Sequence, residues 1–373
     1  MTVLNQHLKG QKKILQPVAK INFFPHRRGV RGKKMEENRG KRPTLGEVAA
    51  LAGVSRSAVS RTFTKGASVS PLTRSKVEEA ASQLGYRPNL LARSLTTRKT
   101  GLVGLVANNF HNPIFLEVFD LFTRELQREG LRPLIVNLTN ETDALRSVQL
   151  LLEYQVDAVV VASSTLPVGF ADTFAEAGLP VVHAFGRPGH RKDINVVGID
   201  NIEAGRLAAR RLIACGYDRV GFLGGPEKAT STRDRLEGFL DVLSDYPKIQ
   251  TRIDFAGDYT FESGFDEMAS IILRGLGQGY FCADDVISIG AMSALRRAGY
   301  RIPEQVGIIG FNDMEMAGWD NVRLTTIRQP LGAIIAESVN CLGLILSSEI
   351  SNPTRHKLFP CEVIDRDTLP LTN

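Results

Sequence analysis

Apolar positions between residues 44 and 84 fall in three short bursts, each at helical spacing. Leu45, Val48, Ala49 and Ala52 line one face of a first helix. Val59 and Phe63, four apart, face inward from a second. Val77, Ala80, Ala81 and Leu84 form the inner stripe of a third. Polar residues mark the boundaries. Thr44 and Glu47 have capping-box spacing, in which a hydroxyl and a carboxylate satisfy each other's free backbone N–H. Gly53 supplies a positive-φ turn, and Ser55 caps the second helix. Ser70 caps the third, Pro71 suits its first position and Gly85 stops it. The expected core is Val48, Val54, Val59, Phe63, Val77 and Leu84.

From Gly101 the period changes. Leu102–Ala107 reads as a buried strand and Pro113–Arg128 as an amphipathic helix. Strands are expected at 133–138, 158–162, 180–185 and 196–199, with helical segments between most of them. The alternation restarts after Asp200: helix 202–215, strand 219–223, helix 231–243, then strands at 280–283 and 306–311. Such βα alternation implies parallel sheets covered by helices on both faces. The restart implies two lobes. The predicted fold class is therefore α/β, two doubly wound lobes behind an all-α helix-turn-helix domain.

The second short helix carries the first chemistry. Arg56 and Ser57 sit at its N-terminal end, and Arg61 lies four residues after Ser57. A reading helix contacts bases near its N-terminus, where arginine forks onto guanine and serine donates or accepts. In the lobes, polar clusters follow the strands: Asn108-Asn109-Phe110-His111-Asn112, Ser163-Ser164, Asp284-Asp285 and Asn312-Asp313, with Thr232-Arg233 opening a helix. Ligands of open α/β sheets bind beyond the carboxyl ends of the strands. Hydroxyl, amide, carboxylate and arginine groups together suit a polyhydroxylated ligand.

Charge separates the two regions. Residues 1–43 hold twelve Lys/Arg against two Asp/Glu, and residues 44–99 nine against three, so they carry +10 and +6. Against a total of +6, residues 100–373 carry 6 − 10 − 6 = −10. Attraction to phosphate is confined to the N-terminal end, so nucleic-acid binding should be oriented. The basic stretch 1–43 reads as a disordered arm adding phosphate contacts. The competing reading, which we favour, starts the natural protein at Met35, nine residues before Thr44. The four cysteines, Cys215, Cys282, Cys341 and Cys361, are scattered, which suggests reduced cytoplasmic thiols rather than disulfides or zinc. No apolar run approaches ~20 residues, so no membrane span is expected. Gly221–Pro226 lacks a nucleotide-loop pattern, the histidines lack spaced metal partners, and no nucleophile–base pair is evident. No cofactor, metal site or enzymatic activity is expected.

Residues 44–95 resemble the DNA-binding domain of the lac repressor family, through Ala52-Gly-Val-Ser, Val59-Ser-Arg, Val69-Ser-Pro-Leu-Thr-Arg and Leu84-Gly-Tyr-Arg-Pro-Asn. Members often carry an asparagine where Thr64 stands. The resemblance continues to about Asp367, through Gly101-Leu-Val-Gly-Leu-Val, Phe222-Leu-Gly-Gly-Pro, Arg233-Asp-Arg-Leu-Glu-Gly-Phe, Phe281-Cys-Ala-Asp-Asp and Leu324-Thr-Thr-Ile-Arg-Gln-Pro. It implies a fold like that of periplasmic sugar-binding proteins. It also implies a hinge helix at 89–97 whose leucine, here Leu95, wedges a minor-groove base step.

The resemblance places DNA contacts at Thr44, Ser55, Arg56, Ser57, Ser60, Arg61, Arg93 and Leu95. It places effector contacts at Asn109, Phe110, Ser163, Arg233, Asp284, Asn312, Trp319 and Gln329, with Arg233 as the gripping arginine. Asp284 stands where the family has an asparagine, and Asn312 where it has a carboxylate. Phe110 and Trp319 are candidates to stack on a sugar face, and lobe packing is the alternative for Trp319. The expected domains are the extension 1–43, the helix-turn-helix 44–88, the hinge and linker 89–100, and the body 101–373. Within the body, 101–199 with 329–358 forms one lobe, and 200–326 with 359–373 the other. The expected function is a cytoplasmic, homodimeric regulator. It would repress carbohydrate genes at a pseudo-palindromic operator in double-stranded DNA, under a sugar, sugar acid or polyol effector. A cytoplasmic sugar-binding protein, or a sugar-modifying enzyme on the same scaffold, is the alternative.

Overall fold

The computed structural model describes residues 43–64, 66–88, 94, 99–138, 144–189, 191–347 and 356–370. The basic segment before residue 43 and the expected hinge helix apart from Ser94, including Arg93 and Leu95, lie outside the described residues. The chain divides into two units, Met1–Asn89 and Leu90–Asn373.

The first unit holds three helices, α1 (Leu45–Ala52), α2 (Arg56–Thr62) and α3 (Pro71–Leu84). The capping box forms: Glu47 N donates to Thr44 Oγ1 at 3.3 Å and Thr44 N to Glu47 Oε2 at 2.6 Å. Gly53 takes the left-handed conformation at φ 63°, which a side chain would strain. Val48, Ala49, Val59, Val77, Ala80 and Ala81 are buried, with Val54, Phe63 and Tyr86 packed against them. Leu84, expected in this core, is 37 % exposed. Gly85 reverses the chain at φ 65°, so Tyr86 rather than Leu84 turns inward; its N–H reaches Ala81 O at 2.8 Å and its ring lies 5.8 Å from Phe63.

The second unit contains two six-stranded sheets. The first runs β11-β5-β4-β3-β1-β2 and the second β12-β10-β9-β8-β6-β7. In chain order these are β1 (Leu102–Ala107), β2 (Arg132–Asn137), β3 (Ala158–Ala162), β4 (Val181–Ala184), β5 (Asn195–Ile199), β6 (Arg219–Gly224), β7 (Gln250–Phe255), β8 (Gly279–Cys282), β9 (Gly307–Asn312), β10 (Thr326–Arg328), β11 (His356–Phe359) and β12 (Glu362–Ile364). The pairs are parallel except β10 with β12. The chain passes between sheets after β5, after β10 and after β11. Central strands β3 and β9 are buried along their whole length, as expected of strands covered on both faces.

Two helix pairs pack backbone to backbone in the second lobe and fix the walls of the site. Helices Asn201–Ala214 and Thr230–Ser244 meet at glycines. A Cβ on Gly238 would lie 1.8 Å from Ile202 O, and one on Gly205 2.0 Å from Arg235 O. Helices Phe261–Arg274 and Asp285–Arg297 meet likewise, with a Cβ on Gly264 2.4 Å from Ile287 O. Rings of Phe222, Phe239 and Phe281 pack 5.6–5.9 Å apart beneath the first pair.

Candidate functional site

In the first unit, α2 presents a polar face. Val59 and Thr62 are buried, whereas Arg56, Ser57, Ser60 and Arg61 are all exposed. At ~100° per residue these four span roughly 140° of the helix surface, one continuous strip. Ser55 fixes its start: Ala58 N donates to Ser55 Oγ at 3.2 Å, and Ser55 Oγ lies 2.8 Å from Ser57 Oγ. Arg74 Nη1, from α3, donates to Thr62 O at 3.0 Å and holds its end.

In the second unit, the carboxyl ends of β1, β3, β4, β8 and β9 converge on a cavity between the lobes. Its space, counting the open mouth and the solvent in it, is about 560 Å³. Asn109, Asn112, Phe115, Ser163, Ser164, Thr165 and Phe185 line it from one lobe, with Ser231, Arg235, Tyr259, Asp284 and Asn312 from the other. Direct bonds cross between the lobes. Asn112 Nδ2 donates to Asp284 Oδ2 at 2.9 Å, Thr230 Oγ1 to Ser164 O at 2.7 Å, and Arg187 Nε to Asp234 Oδ2 at 2.6 Å.

The first wall is a hydroxyl–amide relay. Ser163 Oγ donates to Asn108 Oδ1 at 2.7 Å, and Thr165 Oγ1 accepts from Asn108 Nδ2 at 2.8 Å and Asn109 Nδ2 at 3.3 Å. Buried His183 donates from Nε2 to Ser163 O at 3.1 Å. Burial lowers its imidazole pKa to about 4, against the favourable Ser163 carbonyl and Asp172. Phe185 sits at φ 65°, a strained setting for a bulky residue, and it lines the cavity.

The opposite wall centres on Asp284 and Arg235. Asp284 caps the helix Asp285–Arg297 through Val286 N at 2.8 Å, and its Oδ2 also accepts from Asn312 Nδ2 at 3.0 Å. Burial raises its carboxyl to about 6, opposed by the Val286 N–H, the Asn112 amide and Arg235. Arg235 lies over the Phe311 ring at 3.5 Å, with Nε on Asn201 Oδ1 at 2.9 Å and Nη1 on Ala283 O at 2.8 Å. Gln329 Nε2 donates to Asn312 Oδ1 at 2.7 Å. Asp285 is turned away: it accepts from Thr326 Oγ1 at 2.6 Å and Met314 N at 2.8 Å, fixing the loop after β9.

Asn109, Ser163, Asp284, Asn312 and Gln329 thus meet at one cavity. Arg233 does not. It is exposed, and its Nε donates to Glu227 O at 3.2 Å. The helix turns ~200° over two residues, which carries Arg235 inward in its place. Trp319 is 51 % exposed and does not line the cavity. Phe110 packs 4.8 Å from Phe119 and 6.3 Å from Phe115, and Phe115 takes the lining position. Sequence reasoning also missed Tyr259 and Ser231. The available signal for Arg235 was the spacing Thr232, Arg235, Phe239, one buried stripe of the helix.

Two family models match. Residues 44–89 match "Bacterial regulatory proteins, lacI family", and residues 209–369 a "Periplasmic binding protein-like domain". The HTH-type transcriptional regulator CelR of Thermobifida fusca is 32% identical over 327 residues, 85% of this chain and 96% of that protein. The chain belongs to the lacI family of bacterial regulatory proteins. A second relative, the HTH-type transcriptional regulator AscG of Escherichia coli K12, is 30% identical over 87% of this chain and 98% of its own length. Among solved structures, a lac repressor dimer bound to operator and the anti-inducer ONPF superposes with TM-score 0.79 at 25% identity, covering 88% of this chain and 99% of that one. A CelR–cellobiose complex superposes with TM-score 0.64 at 29% identity, covering 88% and 100%. Among the described residues, no group of three or more His, Cys, Asp or Glu is placed to hold a metal, and all four cysteines are free. No described helix is long and apolar enough to cross a membrane.

Proposed function

We propose that this lacI-family protein is a cytoplasmic, homodimeric transcriptional repressor of carbohydrate uptake or catabolism genes. It binds a pseudo-palindromic operator and is controlled by a sugar-like effector held in the interlobe cavity. The observation that carries the reading is the pairing, in one chain, of an exposed Arg56-Ser57-Ser60-Arg61 strip with a cavity lined by amides, hydroxyls, Arg235 and Asp284. The strip supplies base readout. The cavity supplies donors and acceptors matched to hydroxyls. A relative solved with cellobiose and a lac repressor dimer on operator support both halves.

Effector and operator are linked through the difference in effector affinity between the DNA-competent state and the other. Effector release of the operator is the expected sign. Turnover of the ligand plays no part.

The test begins by selecting preferred duplexes from a random pool with the purified full chain. Fluorescence anisotropy then follows operator release as neutral sugars, sugar acids and polyols are added, cellobiose among them. A preferred palindromic site released by at least one of them is the expected result. Equal affinity for selected and random duplexes would refute the DNA reading, and turnover of a bound sugar would favour an enzyme.

A further inference from the structure

We infer that the interlobe cavity selects an uncharged, polyhydroxylated ligand over the phosphorylated or carboxylated form of the same skeleton, and that Asp284 makes the selection. This rests on the effector reading above and narrows it to a ligand class.

Among the described residues, seventeen line the cavity, and of these only Arg235 and Asp284 carry formal charge. Lysine and histidine are absent from that set, and burial raises the Tyr259 phenol, which keeps it neutral. An anionic ligand would need charge-assisted donors, and a phosphate is best held by a free guanidinium fork. Arg235 does not offer one. Its Nε and Nη1 are already bound to Asn201 and Ala283 O, and its face is stacked on Phe311.

Asp284 then sets the sign of the field. Its carboxylate is 3 % exposed, and its neighbours Val286, Asn112 and Asn312 each donate one hydrogen bond to it. The Ile287 N–H bears on the same carboxylate, and an ionised carboxylate offers a ligand acceptors and no donor. A sugar hydroxyl can donate there; a phosphate oxygen or a second carboxylate cannot. Like charges a few ångströms apart in a poorly solvated site repel strongly.

Four helices begin among the lining residues, and the first N–H groups of two are spent locally, Ile114 N on Asn112 Oδ1 at 3.1 Å and Leu331 N on Gln329 O at 2.9 Å. The helix Asp285–Arg297 is capped by the Asp284 carboxylate itself. At the start of Thr230–Ser244, the Ser231 N–H donates to Ser164 O at 3.1 Å. The remaining wall suits an uncharged ring. Asn109 and Gln329 bring amides that donate and accept, and Phe115, Phe185 and Leu331 offer apolar surface for C–H faces.

Calorimetry on the full-length protein at pH 8, where Asp284 is ionised, tests this directly. The probes are glucose, galactose and cellobiose, with glucose 6-phosphate, galactose 6-phosphate, cellobiose 6-phosphate, glucuronate and galacturonate as their charged forms. The tightest neutral sugar should exceed its charged form by about 100-fold. A charged form binding within tenfold of its neutral parent, or tighter, overturns the inference, and operator release by that anion would leave the effector reading standing. Absence of binding by every neutral sugar overturns the inference and the sugar reading together.

Asp284→Asn keeps a capping side chain and should narrow the gap by at least tenfold, with an unchanged far-UV circular dichroism spectrum as the check of fold. Asn312→Asp, which adds a carboxylate at the same wall, should widen it. A gap unmoved by both substitutions removes Asp284 as the selector.

Discussion

The two functional regions of this chain are built in opposite ways. The proposed reading face of α2 comes from seven consecutive residues, Arg56–Thr62, fixed by caps and a turn within a few positions on either side. The proposed effector cavity draws on residues from Asn109 to Leu331, brought together by two sheets and three passages between lobes. The first is specified locally and should tolerate change elsewhere. The second depends on how closely helices approach, so distant substitutions should damage it.

The largest effect should come from that dependence. Gly238→Ala would place a methyl 1.8 Å from Ile202 O and force apart the helix pair that carries Arg235. A loss of about 3 kcal/mol or more is expected by urea denaturation, at the upper end of overpacking costs. A loss under about 1 kcal/mol would show that this pair can separate cheaply.

Next in size is a pH effect confined to the effector unit. His183 has a folded pKa of about 4 against an ordinary 6.5, so the fold prefers the neutral ring. The stability this protects is complete above pH 6.5 and is lost as pH falls towards 4, by up to about 3 kcal/mol. Asp284, raised to about 6, acts in the other direction over the same range. The informative quantity is therefore the difference from His183→Gln. That variant should lose less stability than the parent between pH 7 and 4.5, and identical losses would contradict the assignment.

On the DNA side, Arg56→Ala and Arg61→Ala should each cost roughly 1–3 kcal/mol in operator affinity and relax base preference. Equal losses on operator and random DNA would mean that these arginines contact phosphate only. The smallest effect is expected at Thr44→Ala, which removes one half of the capping box and should lower stability by about 1 kcal/mol, read from the thermal midpoint.

How much could be read beforehand follows the same division. The capping box at Thr44, the turn at Gly53 and the caps at Ser55 and Ser70 were legible because each acts on its own neighbours. The exception was Leu84, displaced by Tyr86 once Gly85 reversed the chain. Central strands were legible as continuous apolar runs. Edge strands β7, β11 and β12 carry no continuous buried apolar run, so their pattern resembles loop.

In the cavity, residues at or just beyond strand ends, such as Asn109, Ser163, Asp284 and Asn312, were legible from position alone. Arg235 was not, because choosing between arginines two apart requires the buried face of the helix. Phe115 was read only as part of an amphipathic helix, since a ring lining a cavity and a ring filling a core give the same pattern. The exchange of amide and carboxylate at Asp284 and Asn312 keeps one of each, and the two side chains bond each other at 3.0 Å.

The central claim is that one exposed helix reads the operator while a separate cavity, walled by Arg235 and Asp284, controls it. Operator release titrated with an active sugar, in parallel for Arg233→Ala and Arg235→Ala, tests it most directly. Both variants should bind operator as the parent does. Arg233→Ala should respond at the parent's sugar concentration, and Arg235→Ala should need at least 100-fold more or fail to respond. A retained response in Arg235→Ala together with a lost one in Arg233→Ala would contradict the account.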